Sequence, residues 1–124
     1  MKDDKALELF QKILAKSRDR AIQWEATAED DIYIASLTPE LQLKVWPYTS
    51  VDEDGDKIGP PSVDLRSEKG KLLVEMTYKI DGISTDELNE ISYLAKRIAL
   101  KLDDKMNAAI KKLDDLVGDS DLPF

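Results

Sequence analysis

A chain of 124 residues with 42% hydrophobic side chains is long enough to bury one core as a single domain. It has no His and no Cys, which removes disulfides, the usual zinc ligands, the commonest general base and every His-paired nucleophile. The net charge of −8 is concentrated in residues 21–60, where nine acidic side chains face two basic ones, so the surface as a whole is excluded as a binder of phosphate backbones.

From the N-terminus, Leu7, Phe10 and Leu14, flanked by Leu9 and Ile13, repeat at helical spacing. This predicts a helix over 4–18 capped by Asp3 or Asp4. "AIQWEA" (21–26) and "IYIASL" (32–37) read as two strands of a hairpin joined by an acidic turn. "LQLKVWPYT" (41–49) sets Leu41, Leu43 and Val45 on one strand face and Lys44, Trp46 and Tyr48 on the other. Pro47 cannot donate to a ladder, which predicts an edge position or a bulge. "DEDGDKIGPP" (52–61) reads as a polar loop with a hairpin turn at Asp54-Gly55. Strands over 62–67 and 71–79 follow, the second with Leu72, Val74, Met76 and Tyr78 on one face.

The last element begins at a capping box, Ser84 with Glu87, flanked by Ile83 and Leu88 as a hydrophobic staple. The pattern predicts a helix unbroken to Val117, with Gly118 as its stop. Such a helix would run roughly 50 Å. A domain of this size is nearer ~35 Å across. It must therefore bend near Asp103-Asp104 or overhang the sheet, where it offers a surface for a homodimer. The expected fold is α+β: an N-terminal helix, an antiparallel sheet of four to five strands, and a long C-terminal helix on one sheet face. Residues 1–117 make one domain and 118–124 an acidic tip. No run approaches 18 apolar residues and "MKDDKALELF" lacks a signal peptide's apolar core, so a soluble cytoplasmic protein with no membrane contact is expected.

Three groups invite a chemical reading. Asp52, Asp54 and Asp56 have neither the glycine nor the distal glutamate of a calcium loop, so no metal and no cofactor is expected. Asp103-Asp104 and Asp114-Asp115 are helix neighbours whose side chains diverge by ~100°, unsuited to acid-base work on one atom. The protein is therefore expected not to be an enzyme. Lys44, Trp46 and Tyr48 make the best platform for single-stranded bases, with Arg97 and Lys101 as a neighbouring basic stripe, and the same pattern also fits an ordinary covered strand.

The chain ends "GDSDLPF". Asp119 and Asp121, then Leu122, Pro123 and Phe124, resemble the acidic tip of bacterial single-stranded DNA-binding proteins, which recruits repair and replication enzymes. The resemblance covers only the tip; a helix at each end does not suggest that family's OB barrel. It implies a non-enzymatic bacterial or phage accessory protein of DNA metabolism. Its partner would be a protein with a basic-lipped apolar pocket for the Phe124 ring. The alternative is an acidic interaction module, of the immunity or inhibitor kind, that meets a basic partner through residues 21–60.

Overall fold

The structure, a computed structural model, describes residues 2–116. Helix α1 (Asp4–Arg18) is followed by strands β1 (Glu25–Ala26), β2 (Tyr33–Thr38) and β3 (Leu41–Trp46). A small ladder of β4 (Ser50–Val51) and β5 (Lys57–Ile58) precedes β6 (Ser62–Ser67) and β7 (Leu72–Met76). Helices α2 (Thr85–Ala99) and α3 (Leu102–Asp115) close the described chain. The main sheet is antiparallel with order β1-β2-β3-β6-β7, so the fold is α+β, with an N-terminal helix, five strands and two C-terminal helices.

Alternation along the strands decides which sheet face is covered. Leu43 and Val45 of β3, Val63 of β6 and Met76 of β7 point to one side, where Phe10, Ile13 and Leu14 of α1 and Leu88, Ile91 and Ala95 of α2 join them in one cluster. Phe10, Leu43, Met76, Leu88 and Ile91 are fully buried. Asp3 caps α1 by accepting from the Ala6 N–H (3.0 Å). The capping box at Ser84 and Glu87 forms as its sequence requires, and Ile83 and Leu88 are both buried beside it.

The two covering helices are clamped to each other. Arg18 Nε and Nη2 each donate to Glu90, both at 2.7 Å, and this fork holds the Glu90 carboxyl below its ordinary range. A depressed carboxylate stabilises the fold above its unfolded pKa of about 4.3, and that contribution is lost as the pH falls through the folded value. Glu90→Gln is therefore expected to narrow the difference in urea midpoint between pH 7 and pH 3. An unchanged difference would mean that the fork adds nothing in solution.

Four expectations change. The 21–26 strand shrinks to two residues because Trp24 turns inward, buried, and donates from Nε1 to the buried Ser17 Oγ (3.1 Å). The strand carrying Trp46 is central rather than at an edge; it stops at Trp46, so Pro47 never has to join the ladder. The 52–61 loop contributes its own short ladder, with Gly55 at φ 86 in the turn. A register shift in the β6–β7 pairing throws Leu72 out of phase with Val74 and leaves it exposed, and β7 ends at Met76, so Tyr78 lies past the strand and is exposed as well.

The C-terminal helix is two helices. α2 ends at Ala99, and Lys101 adopts the left-handed conformation (φ 52, ψ 46) before α3 starts. Neither Gly nor Pro lies at the break, and a non-glycine residue in that region costs roughly 1–2 kcal/mol. α3 touches no other helix or strand than α2 and buries none of its residues.

Candidate functional site

The uncovered face of the sheet carries the polar half of each strand. Lys44 of β3 stands opposite Asp64 of β6, Gln42 opposite Arg66, and Trp46 opposite Ser62. Asp64 is the centre of this face. Its Oδ2 accepts from Trp46 Nε1 (2.8 Å) and Arg66 Nη2 (2.9 Å), and its Oδ1 accepts from Arg66 Nε (2.9 Å). The Asp64 side chain is only 5% exposed, whereas Arg66 is 22% exposed and spends Nη1 on the Gly70 carbonyl (3.0 Å). The carboxylate and burial act in opposite senses on Arg66, and the hydrogen bonds to Asp64 prevail, raising its pKa.

Three cations crowd the two rings. The Lys44 ammonium lies 4.1 Å from the Trp46 ring centroid, the Arg66 guanidinium carbon 5.5 Å from the same ring, and the Lys57 ammonium 5.3 Å from the Tyr48 ring. Trp46 and Tyr48 meet edge to face with centroids 5.9 Å apart. Between them and β7 lies a shallow depression of about 250 Å³ that includes Trp46, Tyr48, Asp64, Arg66, Leu72 and Glu75.

The structure thus brings Lys44, Trp46 and Tyr48 together and keeps them apart from Arg97 and Lys101, which lie with the helices on the opposite side of the sheet. Arg97 and Lys101 do not share one helix face either, since the chain reverses hand at Lys101. Arg97 is engaged locally: it donates to Asp103 and to the Tyr93 hydroxyl, and its pKa is raised chiefly by Asp103. Asp64 and Arg66 were not singled out from the sequence. The signal available was an acid in the middle of "SVDLRS", on the face that the alternation of β3 had already made polar.

Asp64→Asn keeps the shape and removes the charge, leaving a half-covered guanidinium without its anion. The expected loss is about 1.5–3 kcal/mol of stability, read as a lower urea midpoint followed by Trp fluorescence. No loss would mean that the outer face is screened by water and not built around Asp64.

The acidic loops also find their places. Tyr33, Val45, Val63 and Met76 are aligned across the sheet, so segments 27–32, 47–61 and 77–83 all lie at one sheet end. Together they carry eight acidic side chains against two basic. Carboxylate oxygens of Asp52, Asp54 and Asp56 lie within 4.8 Å of one another, all exposed. Asp52 Oδ1 accepts from the N–H groups of Asp54 (2.9 Å) and Asp56 (2.8 Å), which explains the cluster as turn chemistry.

At the β7 edge, a groove of about 390 Å³ is lined by the apolar Ala6, Leu9, Leu65 and Val74 together with two bases, Lys5 and Lys12, and two acids, Asp3 and Glu8. α3 and its C-cap leave Met106, Ile110, Leu113 and Leu116 exposed, Leu113 at 67%. Asp119, Asp121, Leu122, Pro123 and Phe124 lie outside the described residues. Among the described residues, no helix is long and apolar enough to cross a membrane. Comparison with known proteins finds no matching family model, no matching curated protein and no matching solved structure.

Proposed function

We propose that this chain is a non-enzymatic docking protein, which recruits a partner through α3 and the acidic Leu-Pro-Phe segment that follows it. One observation carries the reading: α3 leaves Met106, Ile110, Leu113 and Leu116 in solvent, so the element that leads into the tip is itself an uncovered apolar face. The partner would offer an apolar pocket for the Phe124 ring behind a basic lip that draws in Asp119 and Asp121. Pro123 reduces the backbone freedom that docking removes. The tip's resemblance to that of single-stranded DNA-binding proteins supports a partner from bacterial or phage DNA metabolism.

Direct binding of single-stranded DNA by the Trp46 face has less in its favour. Its rings already hold Lys44, Arg66 and Lys57, and the Asp64 and Glu75 carboxylates flank them, so a base would have to displace cations and a phosphate would meet anions.

The test compares full-length protein with a form lacking Pro123 and Phe124, each used to capture partners from a bacterial extract. Loss of the captured proteins with the shorter form is expected; identical capture by both contradicts the reading. The gathering of acidic loops at one sheet end favours a second reading, an interaction module of the immunity or inhibitor kind for a basic partner. Under that reading, reversing charge at Glu29 and Asp30 weakens capture and the truncation does not.

A further inference from the structure

We infer that Leu100-Lys101 is a two-state hinge, with Asp103 as the latch that holds α3 bent away from the line of α2, and with a single helix over 85–115 as the second state. The inference goes beyond the docking reading and does not depend on it.

The sequence supplies no stop at this point: neither Gly nor Pro occurs from residue 83 to residue 117, and the apolar spacing runs through. Only two residues depart from helical torsions, Leu100 at φ −93, ψ 1 and Lys101 at φ 52, ψ 46. α3 begins with no side-chain cap, so its first N–H groups have no acceptor from a capping residue. In a continuous helix the N–H groups of Leu102, Asp103 and Asp104 would take the carbonyls of Ile98, Ala99 and Leu100. Local energetics therefore favour straightening.

What opposes it is tertiary. Asp103 accepts from Arg97 and pairs with Arg20 at 3.0 Å, and Arg97 also donates to Tyr93. Residues six apart on a continuous helix point to different sides, so Arg97 and Asp103 can pair only while the chain is bent. The contact is thus a reporter of one state. Straightening also costs the fold little, because α3 buries no residue and, apart from the Arg20 pair, packs against no helix or strand but α2. A short list of partly exposed ion pairs is set against a left-handed lysine and three backbone hydrogen bonds, the balance expected of an element with two populated arrangements.

The chain has no cysteine, so Asn89→Cys and Lys111→Cys, both at exposed positions, place two spin labels on the full-length protein without competition. A straight helix puts positions 22 apart at about 33 Å along its axis. A main distance well below that, with a minor one near it, is expected for the parent protein. Asp103→Asn should raise the ratio of long to short distances roughly three- to tenfold, the worth of two ion pairs near the surface. Lys101→Gly should lower that ratio, since glycine accepts the left-handed torsion and is a poor helix former. Circular dichroism confirms that each variant is folded. A single distance in the parent that neither substitution shifts would overturn the hinge, as would ratios moving in the opposite directions.

Discussion

Phe10→Ala is expected to lower the stability of the domain by about 3–5 kcal/mol, the range for removing a fully enclosed aromatic ring. Phe10 has no exposed surface and sits where α1, α2 and the sheet converge, in the cluster that includes Leu43, Met76, Leu88 and Ile91. Neighbouring side chains come from two helices and the sheet and cannot all move into the void. Against a total of 5–15 kcal/mol for a typical domain, the loss is a large fraction, and the melting temperature should fall by roughly 10–20 °C. Leu113→Ala is the control. That side chain is 67% exposed on α3, so its removal should change stability by no more than about 0.5 kcal/mol. A Phe10 variant as stable as the parent would mean that α1 does not close the core.

Phe124→Ala should have the largest effect on binding. A ring that fills a pocket is the kind of anchor whose truncation costs about 2 kcal/mol or more, a loss of roughly thirtyfold in affinity. The same substitution should leave the urea midpoint untouched, because the tip lies beyond the last strand and helix of the described fold. Ile110→Ser combined with Leu113→Ser separates the helix from the tip: weaker capture with unchanged stability would make α3 part of the docking surface. Measurement is by titration against whichever partner the truncation comparison identifies. Equal affinity for parent and Phe124→Ala would leave the aromatic anchor without support.

Much of the fold is legible in the chain because its signals are local. The 3.6-residue spacing of Phe10 and Leu14 gave α1, the alternation of Leu43 and Val45 gave the covered face of β3, and Ser84 with Glu87 gave the start of α2 to the residue. What was not legible depends on contacts between separate elements. The excess length of the last helix calls for a bend near Asp103-Asp104, but the left-handed torsion at Lys101 and the pairing of Asp103 with Arg97 and Arg20 beside it have no sequence signal. β1 is short because Trp24 finds Ser17 on the preceding helix. The Trp46 face looked like a stacking platform from residue types alone. Its character is set by Asp64, eighteen residues later, which only strand pairing places beneath the indole. Register, not composition, decides which cations cover which ring.

The two acidic regions differ in the same way. Segment 21–60 reads as one acidic stretch, yet Lys96 pairs with Asp31 (3.7 Å) and Asp52 is occupied by its own turn. Glu29 and Asp30 are exposed, and the charge they present at the sheet end is fixed by topology rather than by the count along the chain.

The most direct measurement is displacement of a captured partner by the free heptapeptide GDSDLPF, with GDSDLPA as the comparison. Release by the first peptide, and at least tenfold weaker release by the second, is the result that an aromatic acidic tip requires. A partner that stays bound at saturating peptide, or is released equally by both, contradicts it.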